Sequence, residues 1–185
     1  SNPLSPPELR DRTEKAAVDM LAVLEATMQE RRAKPQDDLI SQVLDVSREI
    51  GGFSDDDILH SLVVLVAAGT DTTRLATSLA IKTLLTFPDQ LRVLQEDPGL
   101  RPDAIMELLR YDSPTKFTVR VASEDVELNG NTISRGSIVL LSPFAAGWDP
   151  AAFPEPDRFD PRRDLRGILT FGHGAHYCLG VHLAK

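Results

Sequence analysis

Apolar residues at Leu9, Ala16, Ala17, Met20, Leu21, Val23, Leu24 and Met28 recur at intervals of three and four up to the Arg31-Arg32 pair. That spacing lines one helical face and predicts a long amphipathic helix after the Pro-rich start at Pro3, Pro6 and Pro7. Pro35 breaks it. Asp37-Asp38 then stand where acids favour a helix N-terminus, ahead of a second helix with Leu39, Ile40, Val43, Leu44 and Val46 on its apolar side and Gly51-Gly52 as its stop. Ser54, with Asp57 three residues on, has the form of a capping box opening a third helix over 55–87, apolar enough to be mostly buried. In its middle, Gly69-Thr70-Asp71-Thr72-Thr73 joins a weak helix former to three threonines that can bond back to carbonyls a turn earlier, so a local bulge or groove is expected there.

Pro88 opens a short helix to Glu96, and Pro102 precedes another from Asp103 to Tyr111 that closes before Pro114. Beyond it the pattern changes. Val119-Arg120-Val121, Val126-Glu127-Leu128, Thr132-Ile133 and Ser137-Ile138-Val139-Leu140-Leu141 have the character of short strands, with Asn129-Gly130 as a hairpin turn. From Pro143 to Phe171 the chain is rich in Pro, Asp, Arg and Gly, and an ordered loop of that length is usually functional. A last helix is expected from Leu179. The fold class is therefore mainly α with a small β portion, and with no repeat or linker in view, residues 1–185 are expected to belong to a single domain.

Composition narrows the function classes without naming one. The 185 residues are 42% hydrophobic and 26% charged, as in ordinary globular proteins. Lysine plus arginine number 20 against 28 aspartate plus glutamate, and the net charge of −8 argues against nucleic acid as a partner. The most apolar run, Leu62 to Ala68, is far short of the roughly 20 residues that cross a bilayer, so no membrane span is expected. One cysteine excludes an internal disulfide, and no secretory-type start opens the chain, so a reducing cytoplasm is the expected location.

That cysteine, Cys178, lies in Phe171-Gly172-His173-Gly174-Ala175-His176-Tyr177-Cys178-Leu179-Gly180. Gly172, Gly174 and Gly180 let the backbone approach a flat partner and turn amide N–H groups toward the sulfur, which favours a thiolate. Spacing alone leaves alternatives open. A lone cysteine is commonly a small buried hydrophobe. Zinc is a second alternative, because His173, His176, Cys178 and His182 fall within ten residues, although not in the usual paired layout.

Three further patterns occur in order along the chain: Ala68-Gly69-Thr70-Asp71-Thr72, the E-x-x-R run Glu107-Leu108-Leu109-Arg110, and Pro156-Asp157-Arg158-Phe159. Together with the cysteine loop, this set resembles the cytochrome P-450 superfamily of haem-thiolate monooxygenases, in a bacterial-type form. The resemblance implies haem b (iron protoporphyrin IX), with Cys178 as the axial ligand of the iron. It implies that Arg120 and His176 bind the haem propionates, that Phe171 packs beside the sulfur, and that Gly172 and Gly180 admit the ring. Asp71 and Thr72 would be the catalytic acid–alcohol pair that orders water for proton delivery. Glu107, Arg110 and Arg158 would form a buried triad that locks the cysteine loop and does no chemistry itself.

The implied activity is insertion of one oxygen atom from O2 into a small apolar organic substrate. Electrons would come from a ferredoxin or flavodoxin-type donor. From Arg158 onward five basic residues, Arg158, Arg162, Arg163, Arg166 and Lys185, face two acids, Asp160 and Asp164, and could dock such a donor. Pro114 to Val119 matches a pocket-lining region, and Lys116 hints at a polar or anionic contact. The resemblance further implies an incomplete fold, with the N-terminal half and the extreme C-terminus absent, so that the piece alone would be inactive. A zinc-binding or non-catalytic haem protein remains the alternative.

Overall fold

The computed structural model describes residues 6–184. Contacts divide the chain into two compact units, residues 1–70 and 71–185, and the boundary falls inside one continuous helix.

The first unit holds α1 (Pro7–Ala33), α2 (Leu39–Ile50) and the beginning of α3 (Asp55–Thr86). The expected face of α1 is covered only near its end. Met28 is its one buried residue, whereas Val18 and Val23 are exposed, because the twelve-residue α2 is too short to line a helix of 27. Met28 joins Leu44, Ile58 and Leu62 in the core of this unit, with Leu24, Ile40, Val43 and Leu65 packed around them. The capping box is present. Ser54 N donates to Asp57 Oδ2 at 2.8 Å, and Asp57 N donates to Ser54 Oγ at 3.2 Å.

Asp38 caps α2 by accepting from Ser41 N at 2.9 Å, and it also receives Arg31 Nε at 2.5 Å. The arginine bond, reinforced by the Ser41 amide, lowers its carboxyl from the ordinary 3.8 to about 2. A carboxyl depressed in the folded state stabilises above its unfolded value and loses that contribution as pH falls through its folded value. Asp38→Asn, which keeps the cap and removes the ion pair, should therefore be less stable than wild type near pH 6, with a gap that narrows toward pH 2. Urea midpoints at several pH values measure the gap, and one that stayed constant would refute the assignment.

α3 runs without interruption through Gly69–Thr73, so the expected bulge does not form. Thr70 Oγ1 donates to Val66 O at 2.7 Å, and Thr77 Oγ1 to Thr73 O at 2.9 Å, so these back-bonds coexist with regular helix. The helix is also less buried than its composition predicts. Ile58, Leu62 and Thr83 are covered, while Val64, Val66, Leu75, Ile81 and Leu85 are exposed. Burial requires a facing surface, and within each unit the neighbouring elements reach only part of its length.

The second unit continues with α4 (Pro88–Glu96), a 3-10 turn (Pro98–Leu100), α5 (Arg101–Tyr111), β1 (Thr118–Val121), β2 (Val126–Leu128), β3 (Asn131–Ile133) and β4 (Ile138–Leu141). The strands make two antiparallel ribbons rather than one sheet. β1 pairs with β4, placing Arg120 opposite Val139, and the β2–β3 hairpin is inserted between them in sequence. Asn129 and Gly130 both take positive φ, 50° and 77°, as the tight hairpin turn demands. The long loop begins with a short helix that sequence pattern did not reveal, α6 (Pro143–Gly147), capped by Ser142. After the loop come a 3-10 turn (Gly174–His176) and α7 (Val181–Ala184), two residues later than the expected helix start.

An aromatic cluster holds α5 to the loop. Tyr111 meets Phe87 edge-on at 5.4 Å and lies 5.2 Å from Trp148, whose Nε1 donates to Tyr111 O at 2.9 Å. Phe159, 1% exposed, packs against both Phe87 and Tyr111. Among the described residues no helix is long and apolar enough to cross a membrane.

Candidate functional site

The E-x-x-R spacing on α5 turns Glu107 and Arg110 to one side, where both are buried, at 0% and 1% exposure. Arg110 grips the carboxylate with two bonds, Nε to Oε2 at 2.6 Å and Nη2 to Oε1 at 2.9 Å. Its remaining donor, Nη1, reaches Gly147 O at 2.7 Å and Pro156 O at 2.9 Å. The backbone at Gly147 approaches closely, since a Cβ there would stand 3.1 Å from Arg110 O.

The third member of this network is Arg163, not the expected Arg158. Arg163 Nε donates to Glu107 Oε1 at 3.0 Å from a side chain only 9% exposed. Its other donors take the carbonyls of Pro154, Glu155 and Arg158 at 2.5, 3.0 and 2.7 Å. The Arg158 side chain is 59% exposed and pairs with Glu155 at 3.4 Å; it contributes to the network through its backbone carbonyl alone. Glu155, at φ 51°, turns the backbone sharply, and the chain then runs with Phe159 and Pro161 buried and Arg162 exposed. A turn closed by Arg163 N on Asp160 O at 3.0 Å then brings the Arg163 side chain to the side on which Phe159 and Pro161 are buried. Asp160 N adds a fourth donor to Glu107 at 3.1 Å. Two guanidinium groups thus surround one carboxylate, and five backbone carbonyls accommodate the surplus positive charge.

The expected basic patch is correspondingly thinner. Arg163 is internal, Arg158 and Arg166 have acidic neighbours in Glu155 and Asp164, and Arg162 stands exposed between them. Lys185 lies outside the described residues.

Thr170 Oγ1 donates to Leu109 O at 3.3 Å, tying α5 to the start of the cysteine loop. In that loop Cys178 is partly buried, and its N–H donates to Phe171 O at 2.9 Å, bringing those two residues together. Gly172, at φ 74°, folds the loop so that its Cα side faces His176 O, and His176 itself is exposed in the 3-10 turn. No atom lies within 4 Å of a Cβ built on Gly180, and Leu179 beside it is 82% exposed. Among the described residues no three His, Cys, Asp or Glu side chains form a group able to hold a metal, so the zinc alternative built on His173, His176, Cys178 and His182 has no geometric support.

Arg120 is exposed on β1, with Nη1 donating to Val119 O at 2.9 Å. Asp71 and Thr72 lie on an exposed stretch of α3, where Asp71 pairs with Arg74 at 3.0 Å.

The sequence matches the family model for Cytochrome P450 over residues 3–98 and 100–185. It is 39% identical over 180 residues to 6-deoxyerythronolide B hydroxylase of Saccharopolyspora erythraea, covering 97% of this chain and 45% of that protein. It is 41% identical over 169 residues to a biotin biosynthesis cytochrome P450 of Bacillus subtilis, covering 91% and 42% respectively. The fold superimposes on the crystal structure of P450BioI in complex with hexadec-9Z-enoic acid ligated acyl carrier protein with a TM-score of 0.89 at 38% identity, over 98% of this chain and 47% of that one. The chain thus spans a little under half the length of the relatives it matches, and its fold is the corresponding part of theirs. By sequence over nearly its whole length and by backbone shape alike, this chain belongs to the cytochrome P450 family.

Proposed function

We propose that the protein is a haem-thiolate monooxygenase that places one oxygen atom of O2 into an apolar organic substrate, and that residues 1–185 are part of a single P450 domain. The observation that carries this reading is the family match across both units, with the one cysteine of the chain in the glycine-rich loop.

The residues fit haem b. The cysteine sulfur binds iron as a soft thiolate, the open surface at Gly180 and Leu179 suits a flat apolar ring, and a guanidinium and an imidazole suit its carboxylates. In this proposal Cys178 Sγ would hold the haem iron, Arg120 and His176 would hold the propionates, Phe171 would shield the sulfur, and Gly172 and Gly180 would admit the ring. Haem bound there supplies activation of dioxygen, with the thiolate pushing electron density to favour O–O cleavage. Asp71 would hold a proton at its carboxyl and Thr72 would order water with its hydroxyl. A ferredoxin or flavodoxin-type protein is the proposed electron donor, docking through Arg162 flanked by Arg158 and Arg166. A lone working thiol must stay reduced, which agrees with a cytoplasmic setting.

The test is metal analysis of the intact protein together with the spectrum of its reduced carbon-monoxide complex. One haem iron per chain and a thiolate-type Soret band are expected, with the band lost in Cys178→Ala. Zinc without haem, or a wild-type spectrum lacking that band, would falsify the proposal.

A further inference from the structure

Asp112 follows directly on α5, and its N–H closes that helix on Leu108 O at 3.0 Å. Its carboxylate is 12% exposed yet receives two ammonium groups. Lys82 of α3 approaches Oδ2 at 2.9 Å, and Lys116 approaches Oδ1 at 2.6 Å. Lys116 Nζ also stands 4.0 Å from the centroid of the Phe144 ring on α6, and its backbone carbonyl accepts Ser142 Oγ at 2.7 Å. Burial pushes the Asp112 carboxyl up, and the two lysines more than offset it, leaving it below the ordinary range.

Residues 113–117 belong to no helix or strand. They join α5, which carries the Glu107 network, to β1, which carries Arg120. Exposed ion pairs add little stability. This one differs in having a mostly covered carboxylate shared by two donors, with one donor also seated on an aromatic face. Such an arrangement restricts direction more than it adds energy, because two exposed lysines must converge on one carboxylate at once. Lys116, though 44% exposed, is thus engaged by Asp112 and the Phe144 ring, which accounts for it without a substrate charge.

We propose that Asp112, with Lys82 and Lys116, is a clamp that positions the arm 113–120, and with it Phe117 and Arg120, so that Lys116 is a positioning residue rather than a ligand for an anionic substrate. The consequence for ligand binding rests on the haem-thiolate reading; the ordering of the arm does not.

The experiment uses the intact haem-loaded protein and its Asp112→Asn, Lys116→Met and Lys82→Met variants. Amide exchange in 113–120, followed by mass spectrometry, should quicken about tenfold in Asp112→Asn and Lys116→Met while the β2–β3 hairpin is unchanged. In spectral titrations 4-phenylimidazole, which needs a shaped pocket, should bind about threefold or more weakly, while imidazole changes less than about twofold. Unchanged exchange in the arm overturns the clamp. So does a Lys116→Met variant with normal exchange that loses affinity only for laurate, since Lys116 would then meet a substrate carboxylate. If Asp112→Asn does not fold, the two lysine variants carry the same comparison. Absence of a thiolate-type band in wild type would sink the haem reading and leave the exchange result to decide the clamp.

Discussion

Glu107→Ala is expected to cost about 3–5 kcal/mol of folding stability, the usual result of removing one partner from a buried charged group. The carboxylate takes four donors: Nε and Nη2 of Arg110, Nε of Arg163 and the Asp160 amide. With alanine there, two guanidinium groups remain in a dry site with only backbone carbonyls to face, and like charge now repels like. Glu107→Gln, which keeps the shape and loses the charge, should fall between the variant and wild type. Denaturant unfolding of the intact protein measures both. An alanine variant within about 1 kcal/mol of wild type would mean that water enters and screens the arginines, and that the network does not hold the loop.

The second large effect separates two neighbouring arginines. Arg163→Ala should lose about 2–3 kcal/mol, the range for hydrogen bonds to charged groups, because it removes one Glu107 partner and the donors to Pro154 O and Glu155 O at the left-handed turn, leaving Arg158 O only the 3.4 Å bond from Arg110 Nη2. Arg158→Ala should lose no more than about 1 kcal/mol, since its exposed side chain holds only Glu155 and its useful group, the carbonyl, survives the substitution. Arg163→Lys should not restore wild-type stability, because a single ammonium cannot serve the carboxylate and three carbonyls from one planar fork. Thermal midpoints of the three variants decide the matter, and the opposite ranking would return Arg158 to the triad.

The site was legible in the sequence in unequal parts. Glu107 and Arg110 were found because a spacing of three on a helix creates a contact by itself. The cysteine loop was found because its ten residues are contiguous. The third arginine is not legible, because Arg158, Arg162 and Arg163 are all near enough along the chain to reach Glu107. The choice among them depends on the backbone turn at Glu155 and on which residues of 159–163 face inward. Lys116 is a similar case: its partners, Asp112 on one side and Phe144 on the other, come from sequence separations of 4 and 28.

What the sequence by itself determined is therefore the short-range part of this protein. The capping box at Ser54 and Asp57, the cap at Asp38, the hairpin turn at Asn129-Gly130, the α5 pair and the order of helices and strands all follow from groups within about four residues of one another. Tertiary structure alone decided which arginine completes the Glu107 network, that Lys82 and Phe144 converge on Asp112 and Lys116, that the strands form two ribbons, and that much of α3 lies exposed in this chain. Local rules act through bonds whose partners the chain supplies automatically. Burial and ion pairing act through surfaces that must first be brought together, and a residue's type does not say which surface it will meet.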